Sequence, residues 1–541
     1  MKRKITLGIA LSALIITSCV KDLDVTPKDP NTILSGNVNG NPVYMKQVLA
    51  KIYASFVIYG QSLNSSDADI TSSNDGFFTT ARALWNLQEI TTDEAICGWT
   101  DAGISDLNTQ TWSPSNPFLT ALYQRLGLSI TYANDFIKMT NGSSDPDIQR
   151  YNAEARFLRA LAYYWHMDLF GNPPFTTDND GVGKFYPEQI NRADLFNYIV
   201  SELKDIQNKL GAPKSHYPQA DKAAAWMLLA RAYLNAEVYT GTAKWDSCKM
   251  YCDSVIEHGG YALAQNYRQN FCADNDQSPE MIFAFAMDGI NTQGPVATTF
   301  IIESSSDPEY IPSKKFHGIT SNPDWNGNRA RKDFLNVMID TVATYGNVTI
   351  PTSDSLFATS KDTRVFLKRK ERLDIPSASS SGDYGVGVYK FTAKNSDGSL
   401  PANFNTAYAC TDFPIFRLAD AYLMRAEAKF HIDGSGLDDL NYVRDRAFQA
   451  GDFDLTGTTI PNRLATISEQ AILDERGREF YYEGQRRTDL VRFGKFTDGN
   501  YNWQWKGGVY NGTNTDSHLN IFPIPGDEVS ANPNIHQNTG Y

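Results

Sequence analysis

The clearest pattern of hydrophobic and polar positions in this chain has the period of an α-helix. In residues 152–169, Phe157, Leu161 and Tyr164 recur at spacings of four and three, which places them on one helical face. Gly171 and the two prolines that follow it predict the end of this helix. The same pattern predicts further helices in residues 190–208, 221–238, 245–258, 416–431 and 437–448.

Two of these segments share a local motif that indicates a repeat. The shared pattern is a small residue, any residue, a second small residue and then an aromatic residue. It occurs at 160–163 (ALAY) and at 230–233 (ARAY), 70 residues apart. This is twice a period of about 35 residues, which is close to the length of a tetratricopeptide repeat. We therefore predict a mainly α fold with a tetratricopeptide-like helical-repeat scaffold, chiefly in residues 120–260 and 413–448. The alternative is an irregular helical domain in which the spacing arises by chance.

Two long segments, 60–118 and 288–410, have no sustained periodicity and are rich in Ser, Thr, Asn, Asp, Gly and Pro. Loops of this length inside a compact protein are usually functional or disordered. The Trp, Phe and Ile residues that they contain favour ordered packing. We predict a large irregular, loop-rich ligand-binding region that rests on the helices. No linker divides residues 39–541, which we predict to form one domain.

The N-terminus has the pattern of an export signal. Three basic residues precede an apolar run over residues 5–16, which is shorter than the about 20 residues that span a bilayer. Residues 1–18 are therefore predicted to be a signal peptide. The residues before Cys19 resemble a bacterial lipobox, whose cysteine carries a lipid, and residues 19–38 are predicted to form a flexible tether. The alternative is an ordinary signal peptide with an incidental cysteine.

Composition argues against two classes of partner. The formal net charge of −13 becomes −16 when the three basic residues of the signal peptide are removed. Such an acidic chain lacks the basic surface that binds nucleic acid or anionic lipid headgroups. Contact with a membrane is therefore expected only through the lipid anchor. The five cysteines beyond Cys19 are odd in number and form no CxxC pair, so disulfides are not expected to be a main source of stability.

The sequence contains none of the familiar catalytic signatures, such as a G-x-S-x-G turn, an H-E-x-x-H helix or a phosphate-binding glycine loop. The densest group of carboxylates is Glu475, Glu479 and Glu483, which recur every four residues and are interleaved with arginines. A glycosidase requires two opposed carboxylates across a sugar. Acids surrounded by arginines more often form ion pairs that join helices, so we predict such a network and no enzyme activity.

Loop aromatics indicate a binding site instead. Trp99 and Trp325 both lie in segments rich in Gly, Asn and Asp, unlike the tryptophans on helical faces. Aromatic rings stack on the C–H faces of sugars, and polar side chains bind the hydroxyl groups. We therefore predict a glycan-binding site at Trp99 and Trp325, with Asp101 and Asn326 as neighbouring polar contacts. The alternative is that each tryptophan only fills the space beneath its own loop.

Residues 274–278 contain a candidate metal site. Asp274, Asp276 and Ser278 alternate as oxygen ligands of Ca²⁺ do, but the glycine of an EF-hand loop is missing. The alternative is a solvated acidic turn. No cofactor is expected to be required, and a structural Ca²⁺ ion is the one candidate.

Several long segments together resemble the SusD/RagB family of outer-membrane lipoproteins of Bacteroidetes. They read EARFLRALAYYWHMDLFGNPPF (154–175), DKAAAWMLLARAYLNAEVYTG (221–241), FPIFRLADAYLMRAEAKF (413–430) and ERGREFYYEGQRRTDLVRFGKF (475–496). The resemblance implies a non-catalytic protein at the cell surface that captures an oligosaccharide. It also implies a partner, a SusC-like TonB-dependent transporter. Capture of peptide or another non-sugar nutrient is the alternative within this family.

The segment TDEAICGWTD (92–101) is similar to that of a starch-binding family member, whose site is an arc of two tryptophans and a tyrosine. By this resemblance Trp99 and Trp325 take the two tryptophan positions. The tyrosine position falls in residues 291–296, which contain no aromatic residue, and the arginine position reads Thr79, with Arg82 close by. The resemblance thus implies a two-tryptophan site, with Arg82 as a further polar contact and starch specificity left open.

Overall fold

The computed structural model describes residues 40–60, 68–70, 79–180, 185–321, 324–338, 362–380, 384–448 and 463–541. The predicted signal peptide, the predicted lipidation site Cys19 and the predicted tether up to residue 38 lie outside the described residues. Within these ranges, no helix has both the length and the apolar character needed to cross a bilayer.

Helices make up most of the regular structure, as the periodicity predicts. They are α1 (Pro42–Ser55), α2 (Thr80–Trp85, continued by a π-helical turn over Asn86–Ile90), α3 (Ile104–Thr109), α4 (Pro117–Thr140), α5 (Pro146–Phe170), α6 (Arg192–Ile206), α7 (Lys222–Leu234), α8 (Ala236–Thr240), α9 (Trp245–His258), α10 (Ala297–Ser305), α11 (Ser313–Phe316), α12 (Leu335–Met338), α13 (Leu418–Asp433), α14 (Leu437–Phe448), α15 (Glu469–Phe480), α16 (Arg486–Arg492) and α17 (Gly526–Ala531).

The helix ends follow local chemistry that can be recognised in the sequence. The Asp145 side chain accepts the first free N–H groups of α5, and Gly171 ends that helix with a φ of 76°, which favours glycine. Asp221 caps α7 by accepting the N–H of Ala224 at 3.0 Å. Both caps satisfy backbone donors that would otherwise lack a partner.

The long helices pack against their neighbours in chain order. α4 packs along α5, α5 along α6, α7 along α9, and α13 joins α9 to α14. Tyrosine and tryptophan side chains fill the interfaces, with Tyr163 and Trp165 of α5 both buried. The predicted mainly α fold is therefore confirmed, and pairing of neighbouring helices is what a helical-repeat scaffold requires.

The part of the chain that the structure describes also contains six short strands. β1 (Ala95–Cys97), β3 (Asn328–Ala330), β5 (Val386–Val388) and β4 (Leu367–Arg369) form one antiparallel sheet in that order. β2 (Met281–Phe285) pairs with β6 (Phe413–Arg417) in a second antiparallel sheet, with Phe285 opposite Phe413. The first sheet, together with α2, α3 and α10, lies in the two segments predicted to be irregular. Three-residue strands and helices of six to nine residues are too short to establish a period in the sequence.

The acidic cluster of α15 forms a buried ion-pair network, as predicted. The Glu479 carboxylate contacts Arg417 at 3.0 Å, Arg446 at 2.5 Å and Arg364 at 3.1 Å. Glu475 contacts Arg364 at 2.7 Å. Burial alone would raise the pKa of Glu479, but the three guanidinium groups outweigh it and hold the pKa at about 2. The network joins α15 to α14, to β6 and to the residues before β4.

Candidate functional site

The first sheet brings the two predicted tryptophans together. Trp99 follows β1 by two residues, and Trp325 precedes β3 by three. Because β1 and β3 are antiparallel neighbours, the end of one lies beside the start of the other. The N–H of Gly98 donates to the carbonyl of Gly327 at 2.8 Å, which extends the ladder to the base of both loops.

Trp99 and Trp325 form a tilted pair. Their ring centroids are 6.3 Å apart and their planes are inclined at 53°. The Trp99 indole N–H donates to the backbone carbonyl of Trp325 at 3.0 Å. The backbone of the Trp325 loop thus fixes the Trp99 ring. Both tryptophan residues are partly exposed.

The Trp325 loop is held by the end of α10. The N–H groups of Trp325, Asn326 and Gly327 donate to the carbonyls of Glu303, Ser306 and Ser304 at 2.8–3.0 Å. These carbonyls lie in the last turn of α10 and at its C-cap, where carbonyl groups have no hydrogen-bond donor within the helix. Asp324 and Asn326 adopt φ values of 67° and 48° on either side of Trp325. The helix end therefore stabilises a strained loop that projects Trp325.

Two residues pack against the Trp99 ring. Phe300 of α10 meets it edge to face, with centroids 6.2 Å apart. The Arg82 guanidinium lies 4.5 Å from the Phe300 centroid and 5.7 Å from that of Trp99. Arg82 is 7% exposed, and burial lowers its pKa to about 10, so it stays charged at neutral pH. In this structure, Arg82 contacts the tryptophan ring from within the protein.

The other two predicted contacts lie at the edge of the pair. Asp101 is exposed, two residues beyond Trp99. The Asn326 side-chain carbonyl accepts from the Lys370 ammonium at 3.0 Å, and Lys370 also contacts Asp307 at 3.0 Å. This leaves the Asn326 NH₂ group as the donor that a ligand hydroxyl can use. We call Trp99, Trp325, Asp101, Asn326 and Arg82 the tryptophan site.

The positions that differ from the starch-binding pattern have structural roles here. Thr79 is fully buried and caps α2 by accepting the N–H of Arg82 at 3.3 Å. In the segment 291–296, Gly294 lies against the buried Tyr59, where an added Cβ would approach the phenol oxygen to 2.6 Å. Neither position supplies an exposed aromatic or cationic group to a ligand.

The predicted metal ligands already have other hydrogen-bond partners. Asp274 accepts from the backbone N–H and the hydroxyl of Ser396 at 2.8 and 2.7 Å. The Ser278 hydroxyl donates to Asn270 at 2.6 Å and is buried. Within the described ranges, no three or more His, Cys, Asp or Glu side chains are grouped to hold a metal ion. No cofactor is indicated, and the Ca²⁺ site at Asp274 and Asp276 stays a prediction.

One buried acid beneath the site was not anticipated. Glu303 of α10 is fully buried, and neither carboxyl oxygen has a hydrogen bond of normal geometry to any described residue. Burial raises the pKa of this carboxyl to about 8, which the nearby N–H of Asp324 only partly offsets. Glu303 is therefore neutral at pH 7, directly under the Trp325 loop.

We expect Glu303→Gln to stabilise the protein at alkaline pH. In the unfolded chain the Glu303 carboxyl has its ordinary pKa of 4.5, whereas in the folded protein its pKa is about 8. Between about pH 4.5 and about pH 8 the carboxyl is therefore ionised only in the unfolded chain, so the free energy of unfolding falls as pH rises. Glutamine removes this loss, and at pH 8 the variant should be more stable by about 1–3 kcal/mol. Urea unfolding at pH 5 and pH 8 measures the difference, with the exposed Glu309→Gln as control. An equal change with pH in wild type and Glu303→Gln would contradict this account.

Sequence reasoning located the tryptophans and missed their supports. Phe300, Glu303 and Lys370 lie in segments without periodicity, and each reaches the site from another part of the chain. Gly327 stands in a run of Asn and Gly residues that indicates a turn. Nothing in that run indicates that a side chain at this position would strike Trp99.

Comparisons with known proteins agree on one family. A model of the SusD family matches residues 228–541. Starch-binding protein SusD of Bacteroides thetaiotaomicron is 34% identical over 562 aligned positions, which cover 97% of this chain and 96% of that protein. SusD-like protein P25 of Formosa agariphila is 26% identical, covering 72% of this chain and 73% of its own.

Solved structures show the same fold. A SusD superfamily protein from Parabacteroides distasonis superposes with a TM-score of 0.67 at 18% identity, covering 94% of this chain and 100% of its own. Surface glycan-binding protein A from Bacteroides thetaiotaomicron, in complex with laminarihexaose, gives a TM-score of 0.65 at 19% identity, covering 92% and 99%. At these identities the similarity is one of fold.

Proposed function

The chain belongs to the SusD family, and from this premise we propose that it captures an oligosaccharide at the cell surface through the tryptophan site. The family consists of carbohydrate-binding, non-catalytic proteins, so the chain is not an enzyme and the glycosidase alternative is set aside. SusD of Bacteroides thetaiotaomicron is a starch-binding protein, and surface glycan-binding protein A forms a complex with laminarihexaose.

The observation that carries this proposal is the geometry of the tryptophan pair. Two partly exposed tryptophans whose ring planes are inclined at 53° offer a curved apolar surface, which suits a glycan chain that bends. Around it, the Asp101 carboxylate accepts hydrogen bonds and the Asn326 NH₂ donates them, as hydroxyl groups require. Because the Trp99 ring and the Trp325 loop are fixed before a ligand arrives, little ordering entropy is lost on binding.

We expect Trp99→Ala and Trp325→Ala each to weaken glycan binding by at least about tenfold, as truncation of an aromatic anchor does. Calorimetry should compare maltoheptaose, laminarihexaose, xylan fragments and fructan fragments with the wild-type chain first. The ligand that binds then serves for the variants. Trp245→Ala is the matched control, because Trp245 stacks on His431 with centroids 4.2 Å apart, outside the tryptophan site.

Two results would overturn the proposal. Unchanged affinity in both tryptophan variants would remove the site, even if the wild type binds a glycan. Failure of all four glycans, together with binding of a peptide that Trp99→Ala and Trp325→Ala weaken, would favour the alternative of peptide capture.

The location and transport partner follow from the same proposal. A lipid on Cys19 would hold the protein at the outer face of the outer membrane. The bound glycan would then pass to a SusC-like TonB-dependent transporter. A tether of about 20 residues would reach at most about 70 Å, so the protein could move at the surface while it stays beside its transporter. Gene neighbours that encode such a transporter and carbohydrate enzymes would support this, whereas neighbouring peptidases would favour peptide capture.

A further inference from the structure

A second concave surface lies between α1 and the loop after β2, and it shares no residue with the tryptophan site. We call it the trough. It has a volume of about 490 Å³ and is walled mainly by apolar groups, including Tyr53, Val57, Phe285 and Met287. This volume lies within the range of about 300–1,000 Å³ that binding pockets occupy. The trough is large enough for one or two apolar side chains.

A second cavity of about 750 Å³, which we call the bowl, continues from the trough. The two share Tyr217, Pro218, Ala286, Met287 and Asp288 as a common wall. The bowl differs in chemistry. Its described lining contains five carboxylates and no Lys, Arg or His; the acids are Asp274, Asp276, Asp288, Asp397 and Asp412.

The acids that line the bowl have no cationic side chain beside them in that described lining, unlike the acids of the protein core. There, buried acids such as Glu475 and Glu479 are each paired with several arginines. In the bowl, Asp412 is 5% exposed, and its carboxylate accepts from the Tyr217 hydroxyl at 2.5 Å and the Met287 N–H at 2.7 Å. Burial raises the pKa of Asp412 to about 7, and the like charges of Asp276 and Asp288 add to the rise. A bound cation would relieve this repulsion.

Exposed apolar side chains extend the surface at its rim. Ile290, in the loop that lines the trough, is 54% exposed, and Leu400, beside the wall of the bowl, is 50% exposed. Large apolar residues exposed next to a concave apolar surface are typical of interaction sites. The trough and this rim are mainly apolar, with Lys46 on the α1 wall of the trough, and the bowl is anionic.

We propose that the trough and bowl bind a peptide segment of a protein partner, with an apolar side chain in the trough and a Lys or Arg in the bowl. Charge complementarity selects this occupant. An anionic lipid headgroup would be repelled by the bowl, and a neutral glycan would leave its negative charge without a counter-charge. A small polyamine would leave the trough unfilled. The site is independent of the glycan site and does not rest on its proposed function.

The test uses the full chain and two blocked synthetic peptides, GLFRKG and GLFEEG, in calorimetry. We expect the basic peptide to bind and the acidic one not to bind at about 1 mM. Binding of the basic peptide should weaken at least about fivefold between about 0.05 M and about 0.5 M NaCl, since the bowl is open to salt. Equal binding of both peptides, or of neither, would overturn the proposal.

Two variants locate the binding. Ala54→Trp fills the trough from α1 and should abolish peptide binding, while glycan binding stays unchanged. The double variant Asp276→Asn with Asp397→Asn keeps the shape of the bowl and should weaken the basic peptide at least about fivefold. Peptide binding unaffected by both variants would overturn the proposal. So would binding that appears only after residues 19–38 are removed, because the occupant would then be the chain's own tether.

Discussion

Replacing Arg417 with methionine is expected to lower the free energy of unfolding by about 3–5 kcal/mol. Arg417 is 1% exposed and contacts Glu479 at 3.0 Å and Glu483 at 2.8 Å, and it also pairs with Glu280. Methionine keeps much of the side-chain volume and removes the charge, so three buried carboxylates lose a partner. Urea unfolding followed by circular dichroism measures this as a lower midpoint with an unchanged slope.

An exposed ion pair supplies the matched control. Lys209 contacts Asp205 at 2.7 Å, but the two side chains are 53% and 51% exposed. Lys209→Met should therefore cost less than about 1 kcal/mol. A loss in Arg417→Met no larger than in this control would refute the role given to the network.

Acid should affect the same network. The pKa of Glu479 is about 2 in the folded protein against an ordinary 4.5, so its contribution is complete above pH 4.5. That contribution is lost as pH falls from about 4.5 to about 2, and the loss should be smaller in Arg417→Met. Comparing the loss of stability below pH 4.5 in the wild type and in Arg417→Met thus separates the effect of lost ion pairs from the effect of lost packing volume.

This network shows where sequence reasoning succeeds and where it stops. Glu475, Glu479 and Glu483 and their neighbouring arginines lie within ten positions, so periodicity alone predicts ion pairs on one face. Their main partners, Arg364 and Arg417, come from segments more than sixty positions away. A local pattern carries no information about such partners, because the fold decides which distant residues meet.

The same distinction applies to the long helices and the loop region. The apolar faces of α5 and α7 predict that these helices exist. Their limits are predicted less well, because α5 begins at Pro146, six residues before the predicted start, and α7 ends at Leu234, four residues before the predicted end. The sheet of β1, β3, β5 and β4 is built from three-residue strands, with β1 and β3 more than two hundred positions apart. No alternation develops over three residues, and this sheet is what places Trp99 beside Trp325.

Glycan binding is expected to fall about as far in Gly327→Ala as in Trp99→Ala, by at least about tenfold, although no ring is removed. A Cβ at Gly327 would lie 2.2 Å from Cε2 of Trp99, so the indole must leave its position. It then loses its hydrogen bond to the Trp325 carbonyl and its contact with Arg82. Calorimetry gives the affinity, and the tryptophan fluorescence spectrum reports the displaced ring.

A second glycine separates this steric effect from the general effect of an added methyl group. Gly127 lies within α4 with no atom within 4 Å of an added Cβ, so Gly127→Ala should leave glycan affinity unchanged and raise stability slightly. If Gly327→Ala shifts the fluorescence spectrum and still binds glycan with wild-type affinity, the position of Trp99 does not matter for binding. If affinity falls while the fold stays intact, the tilted ring pair itself is the binding surface. The tryptophan site then depends on the absence of a side chain at Gly327 as much as on the two rings.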